Sequence, residues 1–375
     1  MSRQCRAVVV RKELAVETIT IDPPQAEEVQ VQVAACGVCL SDAHNLSGLL
    51  TRTAPLVLGH EGAGVICAVG PGVVGLEVGD PVVLSFVPVC GRCKACAKGR
   101  HTLCDRRKAS LTNRLPSGGV RLHGAGGEDI VPFCGLGCMA EYCTVHMDSA
   151  IKIAKDMPLQ KAALVGCGVT TGVCSVFNRA QVTPGSTVLC IGTGGVGLNV
   201  LQGARIAGAK TIIAADINDE KLEQAKKFGA THVVNSRTQS LLKEVKKLTD
   251  GDGADFAFEA IGLPDCYVEA LNCTCKGGTA CMVGLTEATA TITVPAIVFP
   301  MGEKVLTGAM YGSCHPGRDM PMLLDLYRAG KLMLDELVTQ EYTLDQARQA
   351  FDDLKAGKNL RGVINIAHLA KSASL

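Results

Sequence analysis

The sequence predicts an α/β fold in which a doubly wound parallel sheet is inserted into a mainly β domain. Three observations predict it. An apolar run from Val188 meets Gly192, Gly194 and Gly197 in G-x-G-x-x-G order and continues with helical spacing from Val196 to Ile206. A second β-type run, Thr211 to Ala215, ends in Asp216, nineteen residues after Gly197. Around this centre, a β-rich first part is followed by strand and helix alternation and then by one last strand.

Taken in order, the first 150 residues are dominated by β patterns: Ala7 to Val10, Glu17 to Ile21, and the alternating Val29, Val31 and Val33. Glycine and proline then punctuate, as in Gly70-Pro71-Gly72 and Gly79-Asp80-Pro81, which marks short strands joined by turns. An all-β or barrel-like domain is expected. The uncharged run from Ala162 to Asn178 is laced with Gly, Thr and Cys and reads as a buried connection. From about Val169 the period changes. Helical stretches at Asp219 to Phe228, Leu241 to Leu248 and Pro264 to Asn272 alternate with strands at Thr231 to Val234, Ala254 to Ala260 and Gly278 to Val283. A helix from Met320 to Ala329 and a strand from Gly362 to Ile366 return the chain to its first domain. The expected boundaries are 1–168 completed by 309–375, with 169–308 as the inserted Rossmann domain.

The glycine turn has a physical purpose. Without side chains, backbone N–H groups approach a pyrophosphate, and the positive end of the helix dipole favours its charge. An acid after the second strand accepts hydrogen bonds from the ribose 2′-hydroxyl and repels a 2′-phosphate. With Asp216 in that place and no arginine in Ile217-Asn218-Asp219, NAD is expected rather than NADP.

Composition narrows the function. The chain has 375 residues, 47% of them hydrophobic, enough for two cores. Net charge is +1 and the 37 basic residues are scattered, unlike the basic stripe of a nucleic-acid binder. Neither a signal-peptide core nor a membrane span is read, so a cytoplasmic protein is expected. Nineteen cysteines, an odd number, then point to a reducing compartment and to metal ligation. Six of them are candidate ligands, and the other thirteen, such as Cys190, Cys266 and Cys281, read as small buried hydrophobes.

Cys90, Cys93 and Cys96, with Cys104 after seven more residues, are spaced to wrap four thiolates around one zinc with no position left for substrate. Free thiols or an iron–sulfur cluster are the other readings, and His101 lies near enough to replace one cysteine. A second set is dispersed: Cys39 in CGVCLSDAH, His60 and Glu61 in LGHEGAG, and Cys167 in LVGCGVTTG. Two thiolates and an imidazole suit a zinc with an open fourth position. Spacing alone does not bring these residues together, and Cys36 with Cys39 also reads as a redox pair.

With CGVCLSDAH, GHEGAG, CGRCKAC and Cys104, VGCGVTTG, GTGGVG with Asp216, and NLRGVI, the chain resembles the zinc-dependent alcohol dehydrogenases of the medium-chain dehydrogenase/reductase superfamily almost from end to end. The resemblance implies a GroES-like catalytic domain carrying the Rossmann insert. It also implies two zinc ions per subunit: a catalytic one on Cys39, His60 and Cys167, and a structural one on Cys90, Cys93, Cys96 and Cys104. Glu61 matches the acid beside the metal, Asp42 the carboxylate that orients the ligating histidine, and Ser41 and His44 the proton relay through the nicotinamide ribose. Gly192, Gly194, Gly195, Val196 and Gly197 match the dinucleotide turn, Thr171 and Val196 the nicotinamide face, and Lys221 and Arg361 ribose and pyrophosphate contacts. Phe86, Cys134, Leu285 and Met310 match the substrate pocket.

The implied chemistry is activation of a primary alcohol, aliphatic or aromatic, as a zinc alkoxide, and hydride transfer to NAD. Partners are then small alcohols and aldehydes, with neither nucleic acid nor membrane, in a homodimer or homotetramer. Two departures matter. Leu40 stands where many members carry a basic pyrophosphate contact. The stretch Ser47 to Leu58 lacks the acids of the branch that oxidises glutathione-bound formaldehyde, which disfavours a thiol-adduct substrate. The connection Asp105 to Leu136 resembles that of dimeric members, and the pattern RLPSGG through LMLDELV that of bacterial nicotinoproteins, which keep NAD bound and use an external acceptor. A zinc hydrolase and a non-catalytic NAD-binding protein are the remaining alternatives.

Overall fold

The computed structural model describes residues 1–47 and 55–366. Most of Ser47 to Leu58, the stretch read as lacking acids, lies outside the described residues. The chain divides into two compact units: Met1–Cys167 with His315–Ala329 and Leu334–Leu375, and Gly168–Cys314 with Gly330–Met333. The return comes at His315 rather than at the expected 309. Ala309 still donates its N–H to Met282 at 2.9 Å. Gly312, at φ +65°, lies so close to the helix Gly168–Cys174 that a Cβ would fall 2.7 Å from Thr170 O and Cys174 Cβ.

The first unit holds ten strands before the insert: β1 (Arg3–Val10), β2 (Leu14–Ile21), β3 (Glu28–Val38), β4 (Leu56–Val57), β5 (Gly62–Val69), β6 (Pro81–Leu84), β7 (Leu122–His123), β8 (Asp129–Pro132), β9 (Tyr142–His146) and β10 (Ala150–Lys152). The second unit contributes β11 (Thr187–Ile191), β12 (Thr211–Asp216), β13 (His232–Asn235), β14 (Ala254–Glu259), β15 (Thr274–Met282) and β16 (Val305–Gly308). After it come β17 (Val338–Thr343) and β18 (Arg361–Asn365).

In the first unit β1, β2, β7, β8 and β4 close into a barrel, and a sheet in the order β10-β6-β5-β3-β18-β17 carries β9 as a further partner of β3. The Val29, Val31, Val33 alternation is that of a central strand. β5, β9 and β18 cover its edges, and packing on its faces buries all of β3 but half-buried Gln32, Gln30 included. β18 runs antiparallel to β3 with Gly362 opposite Val38, which brings Arg361 to the end of β3 where Cys39 follows.

The connection Asp105 to Leu136 has structure of its own, a helix at Arg107–Leu111 and the β7–β8 hairpin. It is clasped to β3 by Arg121, whose Nε and Nη2 donate to the two oxygens of buried Glu28 at 2.9 and 2.8 Å. Such bidentate pairing compensates the cost of burying both charges.

In the second unit six parallel strands take the order β13-β12-β11-β14-β15-β16, which reverses between β11 and β14. β11 and β12 read as nearly continuous apolar runs because helices cover such sheets on both faces. Ligands of doubly wound sheets bind outside the carboxyl ends of the strands at the reversal. Ala162 to Asn178 is largely buried, shared between the helices Leu159–Leu164 and Gly168–Cys174 and a π-helical turn at Ser175–Ala180. Among the described residues no helix is long and apolar enough to cross a membrane.

None of the nineteen cysteines is in a disulfide. Of the thirteen read as core, Cys67, Cys134, Cys266 and Cys275 are only half-buried. Cys266 lies in the first turn of the helix Pro264–Cys273, against the core of the second unit but not within it, and Cys275 lies near the start of β15. That corrects the reading of Cys266 as a core residue.

Candidate active site

Cys39 follows β3 and precedes the helix Leu40–Ser47, which carries Ser41, Asp42 and His44. His60 and Glu61 lie in the turn before β5, and Cys167 follows the helix Leu159–Leu164. Two glycines permit this convergence. A Cβ on Gly37 would fall 2.2 Å from the Glu61 carboxylate, so only glycine lets β3 pass it. Gly59, at φ +97°, donates its N–H to Asp42 Oδ1 at 2.8 Å and turns the chain into His60. Asp42 Oδ2 then stands 3.0 Å from His60 Nδ1, fixing the ring and leaving Nε2 for another partner.

The ligand atoms of Cys39, His60, Glu61 and Cys167 all lie within 4.8 Å of one another. A hydrogen bond from Cys167 holds the Cys39 thiol well below its ordinary range against the effect of burial, assisted by the charges of His60 and Arg361. Burial alone depresses His60, but Asp42, Cys39 and Cys167 more than offset it and hold the imidazolium well above its usual value. Burial pushes Glu61 up to about 7, with Arg361 opposing. A buried cluster of two thiols, an imidazole and a carboxyl that favours thiolate and positive charge together is a donor set suited to a zinc ion.

The second cysteine cluster fits zinc by its own measure. Its Sγ atoms stand 3.5 Å apart for Cys93–Cys96, 3.9 Å for Cys93–Cys104 and 3.5 Å for Cys104–Cys90. A tetrahedron with Zn–S bonds of about 2.3 Å has edges of about 3.8 Å. His101 turns away from this set, its ring edge-on to His315 with centroids 4.0 Å apart.

Beside His60 stand Phe86, with ring centroids 5.8 Å apart, and Phe133, at 5.3 Å and 88°. Cys134 follows Phe133, its thiol pushed up to about 12 by burial. The structure thus gathers Phe86 and Cys134 beside His60. Leu285 and Met310 belong to the second unit, where Leu285 is 62% exposed and Met310 half-buried.

In the second unit Gly192 has φ +92°, and a Cβ on Gly197 would fall 1.8 Å from Gly192 O, so the turn admits nothing larger there. At Gly194 the space is open, which leaves backbone accessible at the start of the helix Gly195–Ile206. Gly172 lets the helix Gly168–Cys174 press against this first turn, where Thr171 and Val196 are both half-buried. Asp216 closes β12, its Oδ2 accepting from Thr193 N and Oγ1 at 2.9 Å each and its Oδ1 from Ile217 N and Asn218 N at 2.8 and 3.1 Å. Lys221 lies in the first turn of the next helix, where Asn218 caps its N–H.

Two family models match, the alcohol dehydrogenase GroES-like domain over residues 25–155 and the zinc-binding dehydrogenase domain over residues 195–329. The chain is 41% identical to an NDMA-dependent alcohol dehydrogenase of Amycolatopsis methanolica, over 94% of this chain and 95% of that one. The chain belongs to the zinc-binding medium-chain alcohol dehydrogenases. Two solved structures extend the likeness. A benzyl alcohol dehydrogenase from Acinetobacter calcoaceticus superposes with a TM-score of 0.90 at 34% identity, covering 97% of this chain and all of that one. An alcohol dehydrogenase zinc-binding domain protein from Burkholderia ambifaria gives 0.94 at 33%, covering 98% and 100%. The fold is therefore a GroES-like domain with a Rossmann insert, and the protein is a zinc-containing alcohol dehydrogenase.

In this alcohol dehydrogenase the sequence reading missed Phe133 and Glu259, and it did not foresee the buried partner of Arg361. Arg361, matched to a pyrophosphate contact, is buried with its guanidinium on Glu61. Phe133 faces His60 edge-on, and its only signal was adjacency to Cys134. Glu259 ends β14 at the reversal of strand order, with Oε1 accepting from Ile261 N and Gly262 N at 2.8 and 2.7 Å.

Proposed function

We propose that this dehydrogenase interconverts a primary alcohol, aliphatic or aromatic, and its aldehyde with NAD as the hydride carrier. The observation that carries the reading is the convergence of Cys39, His60 and Cys167 with Asp42 behind the imidazole. Cys39, His60 and Cys167 would hold a catalytic zinc, and Cys90, Cys93, Cys96 and Cys104 a structural one. When bound, the catalytic zinc lowers the pKa of an alcohol hydroxyl and the nicotinamide accepts hydride from its carbon.

The chain's own residues have the remaining roles. Asp42 keeps His60 in the tautomer that presents Nε2 to the metal. Glu61 supplies a carboxyl beside the ligands. Ser41 Oγ accepts the substrate's hydroxyl proton, and His44, three residues on and so on the same helix face, passes a proton to solvent. Partial burial lowers the His44 pKa, which keeps its ring neutral and ready to accept near pH 7. The apolar Phe86, Phe133 and Cys134 beside His60 support a substrate with a hydrophobic body.

Asp216 supports NAD over NADP by like-charge repulsion of a 2′-phosphate. The Gly194 backbone and the first turn of the helix Gly195–Ile206 would take the pyrophosphate, with Gly192, Gly197, Val196, Thr171 and Lys221 around the cofactor. Leu40, 49% exposed, offers it no charge. We also propose a homodimer, a tetramer being the alternative. Among the described residues the edge strand β16 pairs only with β15, and it exposes Val305, which supports self-association there. Nineteen cysteines with no disulfide among them support a cytoplasmic, reducing location.

A second reading is an enzyme that retains NAD and passes electrons to an external acceptor, favoured by the NDMA-dependent name of the Amycolatopsis relative. Metal analysis and a panel of alcohols, with and without added NAD, test both. Oxidation that requires added NAD supports the first. Nicotinamide absorbance that survives dialysis, with turnover only on a dye or aldehyde acceptor, supports the second. A zinc-loaded protein that oxidises no alcohol under either condition refutes both.

A further inference from the structure

We propose that Asn113 is a positioning residue for substrate selection: its side-chain carbonyl fixes a left-handed turn at Cys134 and thereby the apolar wall that Phe133 and Cys134 present beside His60. The inference rests on the alcohol dehydrogenase reading above. Cys134 has φ 55° and ψ 23°. For a residue with a Cβ that conformation costs about 1 kcal/mol, so the surroundings must impose it.

The surroundings are one short segment. Asn113 Oδ1 accepts the N–H of Cys134 at 2.9 Å. Asn113 is 7% exposed, so water competes little for that bond, and it is itself left-handed at φ 55°, a conformation asparagine tolerates. The next residue after Cys134 is tied to the same segment. Gly135, at φ 70°, sits so close to Arg114 O that a Cβ would approach it to 2.8 Å. Two successive points of the 133–135 turn are therefore fixed against 113–114.

What the turn presents explains why this matters. Phe133 is 5% exposed, and its ring meets the His60 imidazole edge-on at 5.3 Å. Cys134 adds a neutral, small thiol. A ring-bearing primary alcohol whose hydroxyl is at the Cys39, His60 and Cys167 cluster extends along this wall, whereas a two-carbon alcohol ends before it. Asn113 acts through the turn, by its bond to the Cys134 N–H.

The test compares Asn113→Gly, which removes the acceptor but keeps left-handed freedom, with Asn113→Asp, which keeps an acceptor oxygen. Three readouts are taken on the zinc-loaded full chain: kcat and KM for benzyl alcohol and for ethanol, zinc content, and hydrogen exchange of the peptide containing Cys134. For Asn113→Gly we expect KM for benzyl alcohol to rise about tenfold, the scale of one lost buried hydrogen bond. Its kcat, its KM for ethanol and its zinc content should match the unmodified protein, and exchange at Cys134 should accelerate. Asn113→Asp should restore both the benzyl alcohol KM and the protection. A benzyl-to-ethanol KM ratio in Asn113→Gly equal to that of the unmodified protein would overturn the inference while leaving the dehydrogenase reading intact, and so would unchanged exchange. An unmodified protein that oxidises neither alcohol overturns the dehydrogenase reading and this inference with it.

Discussion

Arg361, on the strand that closes the fold, forms a buried ion pair with Glu61, 300 positions earlier and next to His60. Neither side chain has appreciable exposure, at 6% and 0%. Removing one partner of such a pair strands the other charge out of water, at a cost of about 3–5 kcal/mol. Arg361→Ala should lower the unfolding free energy in urea by that amount. The double variant Arg361→Met with Glu61→Gln should recover most of it. A loss below about 1 kcal/mol in the single variant would show the pair to be solvated.

The four-cysteine lobe should behave as a fold element. Cys104→Ala should remove its metal and make 90–111 the first site of limited proteolysis, because the loop has little apolar core to hold it. An unaltered digestion pattern would mean that the thiols do not share a metal.

His44 gives the pH dependence its sign. Its pKa is lowered by burial from the ordinary 6.5, so the neutral, proton-accepting ring persists to more acidic pH than in a free histidine. The acidic limb of kcat for alcohol oxidation should therefore fall below 6.5. His44→Gln should remove that limb and slow turnover near neutrality by about tenfold or more. Superimposable profiles would exclude the relay.

Asp216→Gly should raise the NADP-to-NAD ratio of kcat/KM by removing the carboxylate that repels a 2′-phosphate. The substitution also frees the Thr193, Ile217 and Asn218 donors that the carboxylate accepts, so the ratio of the two efficiencies, and not either one alone, is the readout. An unchanged ratio would move cofactor selection elsewhere.

Local signals were the legible ones. The turn at Gly192 to Gly197 with Asp216 specified strand, helix and strand, because its demands are local: Gly192 takes a positive φ and Gly197 passes the Gly192 carbonyl five residues earlier. The spacing of Cys90, Cys93, Cys96 and Cys104 declared a four-sulfur cluster because the ligands are close in the chain. Cys39, His60 and Cys167 needed the resemblance to bring them together, since their meeting depends on β3, β5 and the helix Leu159–Leu164 packing across the first unit. Glu61 with Arg361, and Asn113 with Cys134, carried no pattern at all. Each pair depends on where a remote segment comes to rest, and a single charge or amide has no period. Cys266 read as core and does pack against the core of the second unit, but its place in the first turn of a helix leaves it half-buried.

The most direct test is alcohol oxidation by Cys39→Ala, with zinc measured in the same samples. The account predicts one zinc fewer per chain than in the unmodified protein, an unchanged far-ultraviolet circular dichroism spectrum, and turnover reduced to background. A variant that keeps its full zinc complement and oxidises alcohol at the unmodified rate would contradict it.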